Sequence, residues 1–325
     1  MIAGNQARVA TGRSLNPPQF ILTIDVEDWF HIIAAGGEYA FRSQTGGVRS
    51  WPHFQPRVEA NTHWILDTLD RHAIKATFFV LGWVAEKHPQ LVREIDRRGH
   101  EVASHGHWHS LLSASNPVEF VNDLHRSVHA LEDLIGRKVL GYRATSASIT
   151  QWALDILAEE GLLYDSSVYP ATYHDTYGKI AGLDPLKPIE RMPNGLWEVK
   201  MSSLQIGNLV LPWGGGGYFR LVPYPLFKRG IDRIVRQQRL YLFYLHPWEL
   251  DPDAPRFHDL KYPYYFRRYV SISKTRARFE KLLCDFQFVP VSDVLSTWIG
   301  KDGTGSVPGG KPSYLHETGA DSESS

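Results

Sequence analysis

The sequence predicts an α/β fold in which βα units surround a parallel sheet or barrel. Two observations carry this. Short apolar, β-prone runs alternate with amphipathic helical patterns, at roughly 25–40-residue intervals through the first half of the chain. Stretches rich in acid, histidine or arginine each fall just after one of those runs. That is the placement expected where ligands gather at the carboxyl ends of strands.

The elements follow in order. Residues 1–18 read as a flexible leader. Residues 20–24 form a buried strand that ends in Asp25, Glu27 and Asp28, followed by Trp29 and His31. Residues 36–56 are rich in Gly, Ser, Pro and aromatics and read as a loop over that rim. Val58, Trp64, Ile65, Leu66 and Leu69 give 58–72 a helical period, and 75–81 is a second strand. A helix with Pro89 in its first turn buries Leu91, Val92 and Ile95 and stops at Gly99. The third strand, 101–104, runs into a histidine stretch, 105–109. Asn116 and Pro117 open a long helix with Phe120, Leu124, Val128 and Leu131 on its core face, ended by Gly136. Strand 139–142 ends at Arg143. Thr150 caps a helix over 151–160, and strand 162–164 ends in Asp165, Ser166 and Ser167.

Residues 168–222 are less regular. Their run Gly214–Gly217 reads as a flexible loop or an excursion beside the site, since it lacks the lysine of a phosphate-binding loop. A helix over 224–238 precedes a buried strand, 240–245, which leads into His246, Pro247, Trp248 and Glu249. One long helix spans 264–286, with a basic outer face of Arg267, Arg268, Lys274, Arg276, Arg278 and Lys281. Strand 288–291 closes the fold, Ser292 caps a terminal turn, and 300–325 reads as a disordered tail.

Composition narrows the function. The 325 residues are 43% hydrophobic and 22% charged, ordinary for a globular protein with a real core. Lys+Arg and Asp+Glu both number 35, which argues against a nucleic-acid binder or a basic membrane-surface patch. The lone cysteine, Cys284, excludes an intrachain disulfide and falls in the apolar pattern of Phe279, Leu282, Leu283 and Phe286, so it reads as core. No charged-then-apolar signal segment and no spanning apolar run are visible. The expected location is therefore the cytoplasm or the inner membrane face.

The chemistry centres on His105 and His109. On a helical turn their spacing puts both imidazoles on one face, close enough to share a metal ion. Such a pair needs a third ligand, and Asp25, Glu27 and Asp28 supply carboxylates. A centre of two histidines, one carboxylate and an open position polarises a carbonyl or activates a water. With fifteen histidines in the chain, the spacing alone is weak; the strand-end placement of both stretches strengthens it. In helical geometry His107 points elsewhere. His100 lies away from the rim, and His31 can line the cleft. Asp165 reads first as a turn or cap residue. Trp29, Trp51 and Trp213 are either stacking platforms for sugar rings or core.

Residues 23–29 (Thr23, Asp25, Glu27, Asp28, Trp29), 104–109, 141–144 and 245–248 stand in the order of the motifs of NodB-type polysaccharide deacetylases, carbohydrate esterase family 4, which the chain resembles over roughly 20–295. Tyr164 to Ser167 and Gly216 to Arg220 look like the subgroup tied to exosortase and PEP-CTERM exopolysaccharide loci. The resemblance implies a distorted (β/α) barrel over 19–299, with a C-terminal family extension from about 205. It also implies metal-dependent removal of N-acetyl groups from an amino sugar. By the match, His105 and His109 bind the metal, Asp25 is the general base and Arg143 holds it. His246 is the acid that protonates the leaving amine. The family commonly has adjacent aspartates, but Val26 occupies the second slot here. A branch with an acid-x-acid pattern makes Glu27 the preferred third ligand, supported by strand alternation, with Asp28 the rival if the chain has already turned. Thr145 stands where the arginine motif usually continues into proline. Trp29 and Trp248 are the expected substrate contacts, with Glu249 shaping the pocket or positioning His246. The expected cofactor is a divalent ion, Zn before Co, Ni or Mn. The expected partner is an N-acetylated amino-sugar polysaccharide or its lipid-linked precursor. Two rival readings keep the sequence consistent: an allantoinase-like hydrolase of small amides or ureides, and a non-catalytic carbohydrate-binding protein.

Overall fold

The computed structural model describes residues 19–31, 47–170, 178, 180–256 and 262–302. The leader expected over 1–18, most of the loop expected over 36–56 and the tail beyond 302 lie outside the described residues. The strands are β1 (Gln19–Val26), β2 (Thr77–Val80), β3 (Glu101–Ser104), β4 (Gly141–Tyr142), β5 (Tyr164–Asp165), β6 (Ile189–Arg191), β7 (Trp197–Val199), β8 (Ser203–Ile206), β9 (Leu209–Pro212), β10 (Leu240–Leu245) and β11 (Phe288–Val289).

One curled mixed sheet, a half-barrel, runs in the order β10–β1–β2–β3–β4–β5–β7–β6, with β11 also paired to β1. All its pairings are parallel except β6 with β7. β8 and β9 form a separate antiparallel hairpin. The sheet is centred on β1, whose residues Ile21 to Val26 are all buried. A strand flanked on both edges and covered on both faces must read as continuous apolar sequence, as this one does. Its register with β10 pairs Gln19 with Leu240 through to Ile24 with Leu245, so Asp25, still paired with Phe79 of β2, comes beside His246, which follows β10.

The covering helices follow their sequence signals. Helix Pro117–Ile135 opens with a capping box: Glu119 N–H donates to Asn116 Oδ1 at 3.0 Å, and Asn116 N–H donates to Glu119 Oε2 at 3.3 Å. It ends at Gly136 in the left-handed region, φ 69°. Leu131 on its inner face is fully buried; truncation to alanine there costs about 2–5 kcal/mol. Helices Val58–Arg71, Pro89–Arg97, Gln151–Glu159 and Tyr224–Gln238 match the expected spans within two residues.

Four expectations change. A short helix, Gly82–Lys87, follows β2, where none was expected. The stretch 168–222 contains β6 to β9, strands of three or four residues that are too short to show a period. The helix expected over 264–286 is broken into Tyr262–Tyr269, a turn at Ile272–Lys274 and Thr275–Asp285, with Ser271 at φ 52°. A left-handed residue cannot continue a helix. Its basic face is not simply outward either: Arg268 Nη2 donates to Trp29 O (2.6 Å), Arg276 Nε to Leu250 O (2.7 Å) and Arg278 Nη1 to Arg220 O (2.7 Å). Finally, Cys284 is exposed. Phe279, Leu282, Leu283 and Phe286 fill the core face, which leaves position 284 on the outer one. Among the described residues no helix is long and apolar enough to cross a membrane.

Candidate active site

The strand ends of β1, β3, β4 and β10 meet. Beyond β1 the chain bends at once: Glu27 N–H donates to Asp25 O at 3.0 Å, a two-residue turn that keeps both carboxylates at the same place. Asp28 goes elsewhere. Its carboxylate accepts the N–H groups of Trp29 (2.8 Å), Arg57 (2.7 Å) and Val58 (3.0 Å). It thus caps the first turn of helix Val58–Arg71 from a distance in sequence.

The histidine stretch is not helical, contrary to expectation. Residues 105–111 form a loop in which Gly106 (φ 71°) and His109 (φ 52°) are both left-handed. Asp123 clamps it, accepting the N–H groups of His107 (2.7 Å) and Trp108 (2.9 Å). A Cβ at Gly106 would press on that carboxylate, so glycine is required there twice over. The result still brings the rings of His105 and His109 to 5.6 Å between centroids.

Glu27, His105 and His109 offer ligand-type atoms that all lie within 4.8 Å of one another, and all three residues are buried. His105 Nδ1 donates to Arg143 O at 2.8 Å, which leaves Nε2 bare, the arrangement that orients a metal-binding imidazole. Burial pushes the pKa of His105 down to about 4, with Asp25 opposing, so the ring is neutral at pH 7. Burial also works against the charge of Glu27, but His109, His246 and His105 together hold its carboxyl well below the usual range. Glu27 Oε2 is buried with no hydrogen-bond partner although His109 Nε2 is 2.5 Å away. An orphaned carboxylate oxygen facing an imidazole nitrogen, with a second imidazole alongside, fits a divalent cation held between them.

On one side of this cluster Arg143, itself buried, donates through Nη1 to Asp25 Oδ1 and Thr23 Oγ1, both at 2.7 Å. Its Nε and Nη2 donate to Ser166 O and Ser166 Oγ, both at 2.9 Å, and its guanidinium lies 4.1 Å from the centroid of the Phe79 ring. Every face of the cation is committed. Asp165 does act as a turn residue: it accepts the N–H (2.9 Å) and hydroxyl (2.7 Å) of Ser167, whose oxygen accepts Ala144 N–H.

On the other side stands His246, with its Nε2 3.7 Å from Glu27 Oε1 and 3.9 Å from Asp25 Oδ2. Its side chain is 22% exposed, against 5% for Asp25 and 2% for Glu27, so the cluster opens outward past this ring. Burial disfavours its charged form, but Glu27, then Glu249 and Asp25, outweigh that and raise its pKa to about 9. Trp248 stacks on it (5.5 Å, 28°) and donates Nε1 to Glu27 Oε1 at 3.3 Å.

The other candidates fall away from the cluster. Trp29 donates Nε1 to Gln55 O (3.2 Å) and packs edge-on against Phe30 and Phe54. Trp51 and Trp213 are buried, the latter stacked on Phe227. His31 accepts Asp28 N–H at 3.0 Å within an aromatic cluster of Phe30, Trp51 and Trp83. His107 is fully buried under Gly82, and His100 accepts Ala76 N–H behind the sheet. Sequence reasoning missed Thr23, Ser166 and Arg220. The first two are ordinary small polar residues next to strand ends, a signal too common to single them out.

Comparison with known proteins bears on the fold and on parts of the chain. Residues 52–164 match the family described as Polysaccharide deacetylase, and residues 166–296 match one described as a domain of unknown function (DUF3473). The first match contains His105, His109 and Arg143 but not Asp25, Glu27 or His246. A peptidoglycan-N-acetylglucosamine deacetylase of Bacillus cereus is 40% identical over 72 residues, 22% of this chain and 26% of that protein. A chitooligosaccharide deacetylase of Bradyrhizobium is 32% identical over 94 residues, 29% of this chain and 42% of that protein. The chain thus spans less than half the length of these curated relatives. A crystal structure of a polysaccharide deacetylase-type protein from Mycobacterium smegmatis superposes with a TM-score of 0.53 at 20% identity, covering 91% of this chain and 96% of that one. The fold is that of the NodB-type (β/α) half-barrel. Over residues 52–164 the chain is similar to polysaccharide deacetylases.

Proposed function

We propose that this protein is a metal-dependent N-deacetylase of an amino-sugar polymer. The observation that carries the reading is the convergence of three pieces on one spot: the Glu27–His105–His109 cluster, the Asp25–Arg143 pair, and His246 within 3.9 Å of Asp25. A divalent ion held by Glu27, His105 and His109, zinc before cobalt, nickel or manganese, supplies a Lewis acid for the amide carbonyl and a lower pKa for water. Asp25 takes the proton of the attacking water through the oxygen that Arg143 does not occupy. Arg143, locked by Thr23 and Ser166, keeps that carboxylate from rotating. His246, protonated, faces the same cleft from the more open side and gives its proton to the leaving nitrogen, so that the amine departs neutral. Trp248, stacked on His246, is the better placed of the two expected substrate contacts; Trp29 packs against Phe30 and Phe54 instead.

The finer reading places the substrate among N-acetylated polysaccharides of exopolysaccharide assembly, or their lipid-linked precursors, and the chain in the exosortase-linked subgroup. It rests on the resemblance of residues 164–167 and 216–220. The test is zinc analysis of purified protein with an acetate-release assay on N-acetylglucosamine oligomers, run beside a ureide ring-opening assay. Acetate release that chelation abolishes and zinc restores is the expected result. Ring opening without acetate release would transfer the site to the ureide reading, and failure to bind any divalent ion would favour a carbohydrate-binding role.

A further inference from the structure

The second half of the chain holds a buried ion pair that the reaction above does not use. Arg220 and Glu249 are each 2% exposed. Arg220 Nε donates to Glu249 Oε2 at 2.9 Å, and Glu249 Oε1 accepts Nδ1–H of His246 at 2.8 Å. The same Oε1 accepts the backbone N–H of His246 at 3.2 Å. The remaining donors of Arg220 go to the last carbonyls of helix Tyr262–Tyr269: Nη1 to Arg268 O, and Nη2 to Arg267 O at 3.3 Å. Its guanidinium also lies 5.6 Å from the centroid of the Trp248 ring.

The glycine run explains how this pair can exist. Gly214, Gly215 and Gly216 are not a loose loop. Gly214 O accepts Tyr244 N–H at 2.7 Å, and Gly215 bridges to Tyr244 of β10. A Cβ at Gly215 would strike the Tyr244 ring, and one at Gly216 would strike both carboxylate oxygens of Glu249. The run therefore lies flat against β10 and the turn after it, and delivers Arg220 to the back of Glu249. Gly217 has open space at its Cβ position.

We propose that Arg220 is a positioning residue for His246, acting through Glu249, and that this is one task of the 166–296 region. The inference rests on the reading of His246 as the acid. Without Arg220, Glu249 would be held through Oε1 alone, by the ring and backbone N–H of His246, and its buried Oε2 would lose its partner. Anchored by Arg220, Glu249 fixes Nδ1–H and so aims Nε2 at the cleft, as an outer partner orients a metal-binding or proton-donating histidine.

The test uses the zinc-loaded full chain. Arg220→Gln is expected to lower kcat by roughly 10- to 100-fold with KM changed less than about twofold. Arg220→Lys, which keeps the charge but cannot span three acceptors, is expected to recover part of that loss. Gly216→Ala removes no functional group and is expected to lower kcat in the same way, whereas Gly217→Ala leaves it unchanged. The double variant Arg220→Gln/Glu249→Gln is expected to be no slower than Glu249→Gln alone. An activity-free readout is the His246 Nδ1–H resonance in nitrogen-15 NMR, which should broaden or shift in Arg220→Gln. Full additivity of the two substitutions, or an unchanged resonance and kcat in both Arg220→Gln and Gly216→Ala, overturns the proposal. Wild-type protein that binds zinc and releases no acetate, with the resonance still lost in Arg220→Gln, overturns the functional reading while the positioning role stands.

Discussion

Residues 19–165 and residues 166–302 meet at the site but are built on different rules. In the first stretch each candidate side chain lies within a few residues of a strand end: Asp25 at the end of β1 and Glu27 just after it, His105 and His109 after β3, Arg143 after β4. In the second, only His246 does so. Its other contributions are supports, Ser166 under Arg143 and Arg220 under Glu249. In the proposed mechanism the first stretch supplies the base and the metal ligands, and the second supplies the acid and most of the anchoring. The difference teaches that here reactivity sits next to secondary structure, whereas its orientation depends on contacts distant in sequence.

Substitutions can break or sharpen that contrast. The largest effect belongs to the first stretch: Asp25→Asn should lower kcat by about 10²–10⁴ while zinc content stays complete, and His105→Ala should lose zinc. Full zinc in His105→Ala, measured by metal analysis, would sink the ligand assignment. A support should cost less than the group it supports. Ser166→Ala is expected to slow turnover roughly tenfold, and a loss as large as that of Asp25→Asn would erase the distinction between the two stretches.

Asp28→Ala separates a cap from a ligand. It should destabilise the fold by about 1–3 kcal/mol, because three backbone N–H groups lose their acceptor. Zinc stoichiometry should not change; its loss would put Asp28 in place of Glu27. Urea unfolding and metal analysis on one preparation decide the matter.

The last effect is a pH dependence that has nothing to do with the site. Burial drives His100 down to about 3. The unfolded chain, with an ordinary histidine near 6.5, therefore binds the proton first. Stability is complete above pH 6.5 and falls as pH drops from 6.5 towards 3, by up to about 1.4 kcal/mol per unit. His100→Asn keeps an acceptor for Ala76 N–H and should flatten this slope between pH 7 and 5, gauged by urea midpoints. An unchanged slope would assign the acid sensitivity to other groups.

The same contrast marks what the sequence makes legible. Apart from the short helix Gly82–Lys87, the order of strands and helices through residue 165 and the strand at 240–245 can be read because apolar period and punctuation encode them locally. The histidine pair can be found from its spacing, but for the wrong geometric reason: a loop with two left-handed residues, not a helical turn, brings the rings together. The choice between Glu27 and Asp28 depends on a two-residue turn and on N–H groups 29 and 30 positions further along, which no local pattern reveals. Arg220 and Glu249 are also 29 apart. Burying a charge is a tertiary event, decided by which partner arrives, and periodicity carries no record of it. The glycine run reads as slack by composition and is in fact a close contact, because what matters at Gly216 is the neighbour that a Cβ would displace.

The central position of β1 has a temporal side. It is the first strand described, with β10 on one edge and β2 and β11 one after the other along the opposite edge. During synthesis its β10 edge stays unpaired until Leu245, the partner of Ile24, has emerged. At 5–20 residues per second that interval is roughly 10–45 s. For that time the nascent chain carries an open apolar strand ending in the carboxylates of Asp25 and Glu27, the kind of edge that can pair with other chains. The geometry that sets Asp25 beside His246 thus leaves one edge of β1 unpaired until Leu245 has been made.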